Sequence, residues 1–142
     1  PAAAGADDSE TASADAGAGD DVFVVEGAGN GFDQISGGEG TDIVLGSSGD
    51  DVFRFLRFSG VNTAETIDGG SDTDVIQRSG SNSTLEFSNT TLSGISSIDG
   101  GAGNDVILGS AANDTIVGGL GNDRLVGGFG NDALLAGPAR TG

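Results

Sequence analysis

The chain alternates between short apolar runs of about three residues and glycine- and aspartate-rich stretches of about six, and the pattern recurs every nine residues. It is most regular from Gly100 to Gly137, which reads GGAGNDVILGSAANDTIVGGLGNDRLVGGFGNDALLAG. Apolar runs this short cannot form a helix face, and glycine interrupts every window in which a helical period could develop. The pattern therefore predicts an all-β chain of very short strands joined by tight turns.

The middle residue of each short run is large and apolar. In a β-strand, neighbouring side chains point to opposite faces, so the middle residue faces one side and the residues beside it face the other. A stack of such strands would bury its middle positions together. The predicted interior residues are Phe23, Ile35, Val44, Phe53, Ile76, Ile107, Ile116, Leu125 and Leu134.

The period begins at Gly17 and is interrupted twice, by residues 54–65 and by residues 78–97, and we interpret both interruptions as enlarged coils of one stack. The segment TIDGGSDTDVIQRS from Thr66 also matches SIDGGAGNDVILGS from Ser97 at an offset of 31 residues, so a longer repeat overlies the shorter one. We predict an Ala-, Gly- and Asp-rich N-terminal segment at 1–18, a repetitive body at 19–135 and a tail at 136–142.

The first interruption contains a cluster of aromatic and basic residues. Phe53, Phe55 and Phe58 lie beside Arg54 and Arg57. Two interpretations are open: a larger coil with a thicker apolar core, or a surface that binds a partner.

The composition limits the functions open to the chain. Its 142 residues carry 22 acidic and 5 basic side chains, for a net charge of −17, with no Lys, His or Cys. The usual general bases and activated nucleophiles are therefore missing, and we do not expect an enzyme. The negative charge argues against nucleic acid as a partner, and no apolar run is long enough for direct membrane insertion. The carboxylate and carbonyl oxygens that remain are ligands for hard cations.

Aspartates follow the glycine-rich turns at a fixed spacing. Asp105, Asp114, Asp123 and Asp132 are nine residues apart. If two units form one coil, alternate turns stack about 4.8 Å apart and bring carboxylates together in pairs. Two such charges about 5 Å apart repel by roughly 3 kcal/mol at an effective dielectric constant of about 20. A cation between the turns would offset the repulsion, and a flexible cage of oxygen atoms suits Ca²⁺ better than Mg²⁺.

The candidate calcium ligands are the turn aspartates and the turn glycines, whose flexible backbone lets carbonyl groups point inward. Solvated turn positions are the alternative for the aspartates, but the strict spacing favours ligands. An EF-hand does not fit, because no D-x-D-x-D-G loop with its closing Glu is present. The candidates are Asp21, Asp33, Gly37, Gly40, Asp42, Gly49, Asp51, Gly69, Asp74, Gly100, Gly103, Asp105, Gly109, Asp114, Gly118, Gly121, Asp123, Gly127, Gly130 and Asp132.

Apolar burial is sparse in this pattern. One large apolar side chain in nine residues recovers little of the entropy that is lost when the backbone is ordered. We therefore hypothesise that the metal-free chain is largely disordered and that Ca²⁺ binding drives its folding. From the pairing of turns we expect about four to six bound ions.

The units GGAGNDVIL, GGLGNDRLV and GGFGNDALL resemble the calcium-binding nonapeptides of the repeats-in-toxin (RTX) family. The resemblance extends from about Gly17 to Leu135 and is strongest at 37–54 and 100–135. It implies a right-handed parallel β-roll or β-helix solenoid, here with two enlarged coils, and Ca²⁺ bound between successive turns. It also implies a bacterial protein that is secreted by a type I system and folds outside the cell.

Three turns depart from the family pattern. Ala111 and Ala112 remove one glycine from the turn at 109–114, Asp72 stands where a glycine is expected, and Ser47 replaces the second glycine of its turn. We expect these sites to bind more weakly or to differ in backbone geometry. The chain also has no apolar secretion tail and no initiator Met, so we expect a processed form or a fragment.

Two functions compete. The first is a calcium-binding structural module of a secreted bacterial surface or extracellular-matrix protein. Because no obvious cap follows Leu135, such a module would be able to assemble end to end into filaments. The alternative is a folding and secretion appendage of a type I-secreted enzyme or toxin.

Overall fold

The computed structural model describes residues 3–5, 13–15, 17–24, 34–46, 48–55, 58–59, 64–78 and 82–139. Every regular element in this part of the chain is a β-strand, and most have three residues because glycine-rich turns follow at once. The strands are β1 (Ala3–Gly5), β2 (Ser13–Asp15), β3 (Val22–Val24), β4 (Gln34–Ser36), β5 (Ile43–Leu45), β6 (Val52–Arg54), β7 (Thr66–Asp68), β8 (Asp74–Gln77), β9 (Thr84–Glu86), β10 (Thr91–Ser93), β11 (Ile95–Asp99), β12 (Val106–Leu108), β13 (Thr115–Val117), β14 (Arg124–Val126) and β15 (Ala133–Leu135).

All the strand pairs are parallel. The first sheet has the order β1-β3-β5-β7-β10, the second β15-β13-β11-β8-β6 and the third β14-β12-β9, while β2 pairs with β4. Each strand therefore pairs with a strand of a neighbouring coil, as in a solenoid. The predicted all-β parallel solenoid is confirmed. The N-terminal segment contributes β1 and β2 to it, and the division at residues 18 and 135 stays a prediction.

The number of sheets changes along the solenoid. From β7 to β12 the chain visits the first, second and third sheets in turn, so the second interruption belongs to enlarged coils, as predicted. The first interruption, between β6 and β7, also reaches the third sheet, because Phe58 bridges to Leu85 of β9. From β12 onward it alternates between the third and second sheets alone. The change follows coil length: Thr84 and Val106 are paired across a coil of 22 residues, whereas Asp105 and Asp123 are 18 residues apart.

The two copies of the 31-residue repeat lie in different sheets, which their sequences did not indicate. The first copy places Thr66–Asp68 in the first sheet, whereas the matching residues 97–99 belong to β11 in the second sheet. Similar sequences therefore lie on different faces, because this offset is not the length of a coil.

The core is one cluster of buried apolar side chains contributed by the three larger sheets. Of the predicted interior residues, Leu125 is partly buried and Leu134 is 46% exposed, so the prediction is wrong for Leu134. The reason is that β15 is the outermost strand of the second sheet among the described residues. The side chain of Ile35, on β4, lies outside the described part. The predicted interior residues that are buried are Phe23, Val44, Phe53, Ile76, Ile107 and Ile116.

The aromatic cluster belongs to the core. Phe53, Phe55 and Phe58 are at most 1% exposed, and the rings of Phe55 and Phe58 have centroids 4.9 Å apart. Phe58 also stacks on Phe87 at 4.8 Å and bridges to Leu85, where the third sheet begins. The thicker-core interpretation is therefore confirmed and the partner-surface interpretation is wrong for these three side chains. Arg57 lies outside the described residues.

Candidate calcium sites

The glycine-rich turns stack in pairs along the edges of the solenoid. The turn at 17–21 lies beside the one at 37–42, joined by the bridge between Ala18 and Glu39. A second pair is formed by the turns at 46–51 and 69–74 and a third by those at 100–105 and 118–123, each with its own bridge. The fourth pair, 109–114 with 127–132, is joined by side-chain hydrogen bonds. Three of these pairs are alternate turns of the sequence pattern, as two units per coil predict, whereas the turns at 46–51 and 69–74 are consecutive turns separated by the first interruption.

Within each pair, the aspartate of one coil reaches the aspartate of the next. The backbone N–H of Asp105 donates to Oδ1 of Asp123 at 2.9 Å, and that of Asp114 donates to Oδ1 of Asp132 at 3.0 Å. The same bond links Asp21 to Asp42 at 3.0 Å and Asp51 to Asp74 at 2.8 Å. Each carboxylate therefore spans two coils, with one oxygen on the neighbouring backbone and the other over its own turn.

The second carboxylate oxygen has no partner at four of these aspartates. The Oδ2 atoms of Asp42, Asp74, Asp105 and Asp123 are buried and accept no hydrogen bond. A buried polar atom without a partner is costly, and a repeated series of them calls for a ligand. An oxygen-binding cation placed beside each of these atoms would supply the missing partner.

The first glycine of each turn makes room for this oxygen. A Cβ atom on Gly69 would lie 2.5 Å from Oδ2 of Asp74, and one on Gly118 would lie 2.6 Å from Oδ2 of Asp123. Any side chain there would occupy the space in front of the carboxylate. The glycines whose added Cβ would meet the aspartate of their own turn are Gly37, Gly46, Gly69, Gly100, Gly109, Gly118 and Gly127.

Except at Ala112, the fourth residue of the turn pattern uses the left-handed backbone region. Gly40, Gly103 and Gly121 have φ angles of 137°, 129° and 146°, which residues with a Cβ rarely adopt. Gly49 and Gly130 lie in the same region at 101° and 112°. These angles turn the backbone sharply enough for six residues to connect one sheet to the next.

The electrostatics of the metal-free turns are unfavourable to charged carboxylates. Burial raises the pKa of Asp42, Asp74, Asp105 and Asp114 above the ordinary aspartate value, and neighbouring acidic groups raise it further. Backbone hydrogen bonds oppose the pKa shift at Asp42 and Asp74. A bound cation would offset the cause of the shift, because it stabilises the charged form.

Two of the three turns that depart from the family pattern have their departing residues within the described part of the chain. In the turn at 109–114, the Ser110 N–H donates to Oδ2 of Asp114 at 2.7 Å, and the Ser110 hydroxyl donates to the same carboxylate. This aspartate is therefore satisfied within its own turn, whereas Oδ2 of Asp42, Asp74, Asp105 and Asp123 has no hydrogen-bond partner. Asp72 has a φ of 85° and is the one non-glycine residue with positive φ among the described residues. Ser47 lies outside the described part.

Two features of the ladders were not predicted from the sequence. The N–H of Asn122 donates to Oδ1 of Asn104 at 2.9 Å, in the direction opposite to the aspartate bonds, and the same bond recurs at Asn131. The recurrence of Asn before Asp every nine residues was the signal for it. We call a series of turns that stack in successive coils a column. In the first column, which contains the turns at 17–21 and 37–42, Glu65 takes the aspartate position, since its Oε2 accepts a hydrogen bond from the N–H of Asp42 at 2.7 Å.

The donor set consists of oxygen atoms. Within the described residues, no three Asp, Glu, His or Cys side chains lie together as a metal-binding group. Each turn pair thus offers two carboxylates, and main-chain carbonyls would have to complete a coordination shell. That combination fits Ca²⁺, which accepts carboxylate and carbonyl oxygens in a flexible arrangement. Asp33, the remaining candidate, lies outside the described residues.

The structure is a parallel β-solenoid whose paired turns are lined with oxygen atoms, and this arrangement is consistent with a β-roll. The model of the RTX calcium-binding nonapeptide repeat matches residues 28–53 and 99–134 in four copies, so these repeats belong to the RTX family. No curated protein and no solved structure matches the chain. Repeats of this family bind calcium, act as structural rather than catalytic modules and are typical of secreted bacterial proteins. Among the described residues there is no helix that could cross a bilayer.

Proposed function

We propose that the chain is a calcium-dependent structural module that folds when Ca²⁺ binds between its stacked turns. The carrying observation is the series of buried, unpartnered Oδ2 atoms at Asp42, Asp74, Asp105 and Asp123. Carbonyl groups of the glycine-rich turns complete the shells. The proposed carboxylate ligands are these four, the stacked partners Asp21 of Asp42 and Asp51 of Asp74, and the separate pair Asp114 and Asp132.

Calcium acts on folding by linking coils that apolar burial alone holds weakly. Each proposed site takes ligands from two turns about 20 residues apart, so an ion bound there closes one coil of the solenoid. An ion that binds the folded chain and not the unfolded one stabilises the fold according to its concentration. The net charge of −17 opposes compaction in the absence of metal.

Circular dichroism tests the coupling of folding to calcium. The chain freed of metal with EGTA is expected to lose most of its β signal and to regain it with Ca²⁺ but not with equal Mg²⁺. Unchanged β content without metal would contradict the proposal.

A matched pair of variants within one turn tests the ligand assignment. Asp42→Asn removes a buried ligand, whereas Glu39→Gln removes the same charge from an exposed side chain of the same turn. Calorimetric titration is expected to show one tight Ca²⁺ fewer for Asp42→Asn and an unchanged number for Glu39→Gln. Equal losses in both variants would mean that net charge, and not coordination, governs binding.

We also propose a role at the bacterial surface or in the extracellular matrix, with coils of different copies able to stack. Leu134 and Leu135 of β15 are 46% and 53% exposed, so a further coil would cover them, either from a continuation of the chain or from another copy. Light scattering in Ca²⁺ is expected to detect assemblies that Leu134→Ser with Leu135→Ser abolishes and that Leu120→Ser leaves intact. A strict monomer at all concentrations would favour the alternative, an appendage for secretion and folding.

A further inference from the structure

The third column contains the turns at 100–105 and 118–123. One turn of this column lacks both the first glycine and the aspartate that are typical of the proposed calcium turns. Strand register pairs Thr84 with Val106, which aligns Ser83 with Asp105. Five residues earlier in each turn, Arg78 corresponds to Gly100. In the four turn pairs described above, a first glycine accompanies an aspartate five residues later in every turn from residue 37 onward. Here glycine and aspartate are replaced together.

The double replacement is sterically consistent. A first glycine is needed where the aspartate of the same turn fills the space above it, as Asp74 does at Gly69. Serine is too short to fill that space, so a side chain at position 78 does not collide with residue 83. Either change alone would disturb the turn: an aspartate would meet the Arg78 side chain, and a glycine would leave the space empty.

Both ends of this turn are nevertheless hydrogen-bonded to the next coil. The Arg78 N–H donates to the carbonyl of Asp99 at 2.9 Å, and a Cβ atom on Gly101 would lie 2.7 Å from the Arg78 carbonyl oxygen. The N–H of Asn104 donates to Oδ1 of Asn82 at 2.8 Å, which continues the asparagine ladder. Ser83 therefore stands directly beneath Asp105.

Ser83 and Arg78 of this turn stabilise the charged Asp105 carboxylate. Its Oδ1 accepts hydrogen bonds from the Ser83 N–H at 2.9 Å and from the Ser83 hydroxyl at 2.7 Å. The Arg78 guanidinium attracts the same carboxylate, which lowers the pKa of Asp105 against the larger effect of burial. The Nε atom of Arg78 is buried and has no hydrogen-bond partner, and neither has Oδ2 of Asp105.

We propose that Arg78 and Ser83 replace a calcium ion at the start of the third column, with the guanidinium as a resident cation and serine as the hydrogen-bond donor. The third column then begins on a metal-independent turn, and calcium binding starts one coil later, between 100–105 and 118–123. This inference rests on the proposed function, because it assigns where the calcium column begins.

The decisive experiment restores the regular turn. The double variant Arg78→Gly with Ser83→Asp is expected to bind one more Ca²⁺ per chain than the unsubstituted protein, counted by equilibrium dialysis with metal analysis. Ser83→Asp alone is expected to add none, because Arg78 would pair with the new carboxylate. An unchanged count in the double variant, or an added ion in Ser83→Asp alone, would overturn the proposal.

A second comparison does not depend on folding of the double variant. At saturating Ca²⁺, Arg78→Gln is expected to lower the thermal midpoint by about 2–8 °C, because it removes the positive charge on the side of Asp105 that faces Ser83. Arg124→Gln removes the same charge from an exposed strand position and is expected to change the midpoint little. Equal midpoints in the two variants would overturn the proposal. If the unsubstituted chain bound no calcium, the proposed function would fail instead, irrespective of this comparison.

Discussion

At the scale of single residues, glycine and aspartate have different roles in the turns. The first glycine leaves space for a carboxylate oxygen, and the fourth residue adopts a backbone angle that side chains disfavour. Asp72 is the exception, since it holds a φ of 85° at a glycine position. Aspartate tolerates this region better than most residues, but it still adds strain.

Replacement of Asp72 by glycine is expected to stabilise the calcium-bound protein by about 0.5–1 kcal/mol, since relief of the backbone strain exceeds the added entropy of the unfolded chain. Thermal unfolding at saturating Ca²⁺ measures the effect. Asp72→Asn serves as the control, because it removes the same charge and keeps a residue that tolerates positive φ. A gain as large in Asp72→Asn as in Asp72→Gly would attribute the effect to charge.

At the scale of elements, the turn at 109–114 differs from its neighbours in what its aspartate contacts. Ser110 donates hydrogen bonds to Oδ2 of Asp114, so calcium would have to compete for an oxygen that has no partner at Asp42, Asp74, Asp105 and Asp123. The expectation that this turn binds differently came from the missing glycine alone. The hydrogen bonds from Ser110 to the Asp114 carboxylate, which explain the difference, are visible only in the structure.

Restoring the regular pattern with Ser110→Gly and Ala112→Gly is expected to tighten the weakest calcium-binding step by roughly tenfold. A hydrogen bond to a charged group contributes about 1.5–3 kcal/mol, and tenfold in affinity corresponds to about 1.4 kcal/mol. Calorimetric titration resolves this step. Ser88→Gly, in an exposed turn outside the aspartate ladders, is the control. An unchanged or weaker step would show that Ser110 does not compete with calcium.

At the scale of the whole molecule, charge opposes the fold that hydrogen bonds and burial favour. Burial raises the pKa of the carboxyl groups of Asp42, Asp74, Asp105 and Asp114 in the folded, metal-free chain. The folded chain therefore binds protons more tightly than the unfolded chain. This contribution to stability is fully present below the ordinary aspartate pKa of 3.8 and is lost as the pH rises through the raised values.

The metal-free chain is accordingly expected to gain β-structure as the pH falls from neutral to about 4. Circular dichroism in metal-free buffer measures the gain, after removal of calcium at neutral pH. A variant with Asp42→Asn and Asp105→Asn lacks two of the titrating groups and is expected to show a smaller pH dependence. If the β signal stayed constant or fell on acidification, the raised carboxyl pKa values would not govern the stability of the metal-free fold.

The sequence by itself determined the strands, the parallel stacking of alternate turns and the oxygen chemistry of the turns. These follow from a local period, because glycine, aspartate and the apolar residue keep fixed places in each unit. Only the tertiary structure decided which sheet each strand joins and that Leu134 is exposed. It also decided that Arg78 and Ser83 lie in the turn next to Asp105. The physical reason is that these properties depend on the length of each coil, which sets the residue that lies above or below, and a period of nine residues does not encode the neighbour across a longer coil.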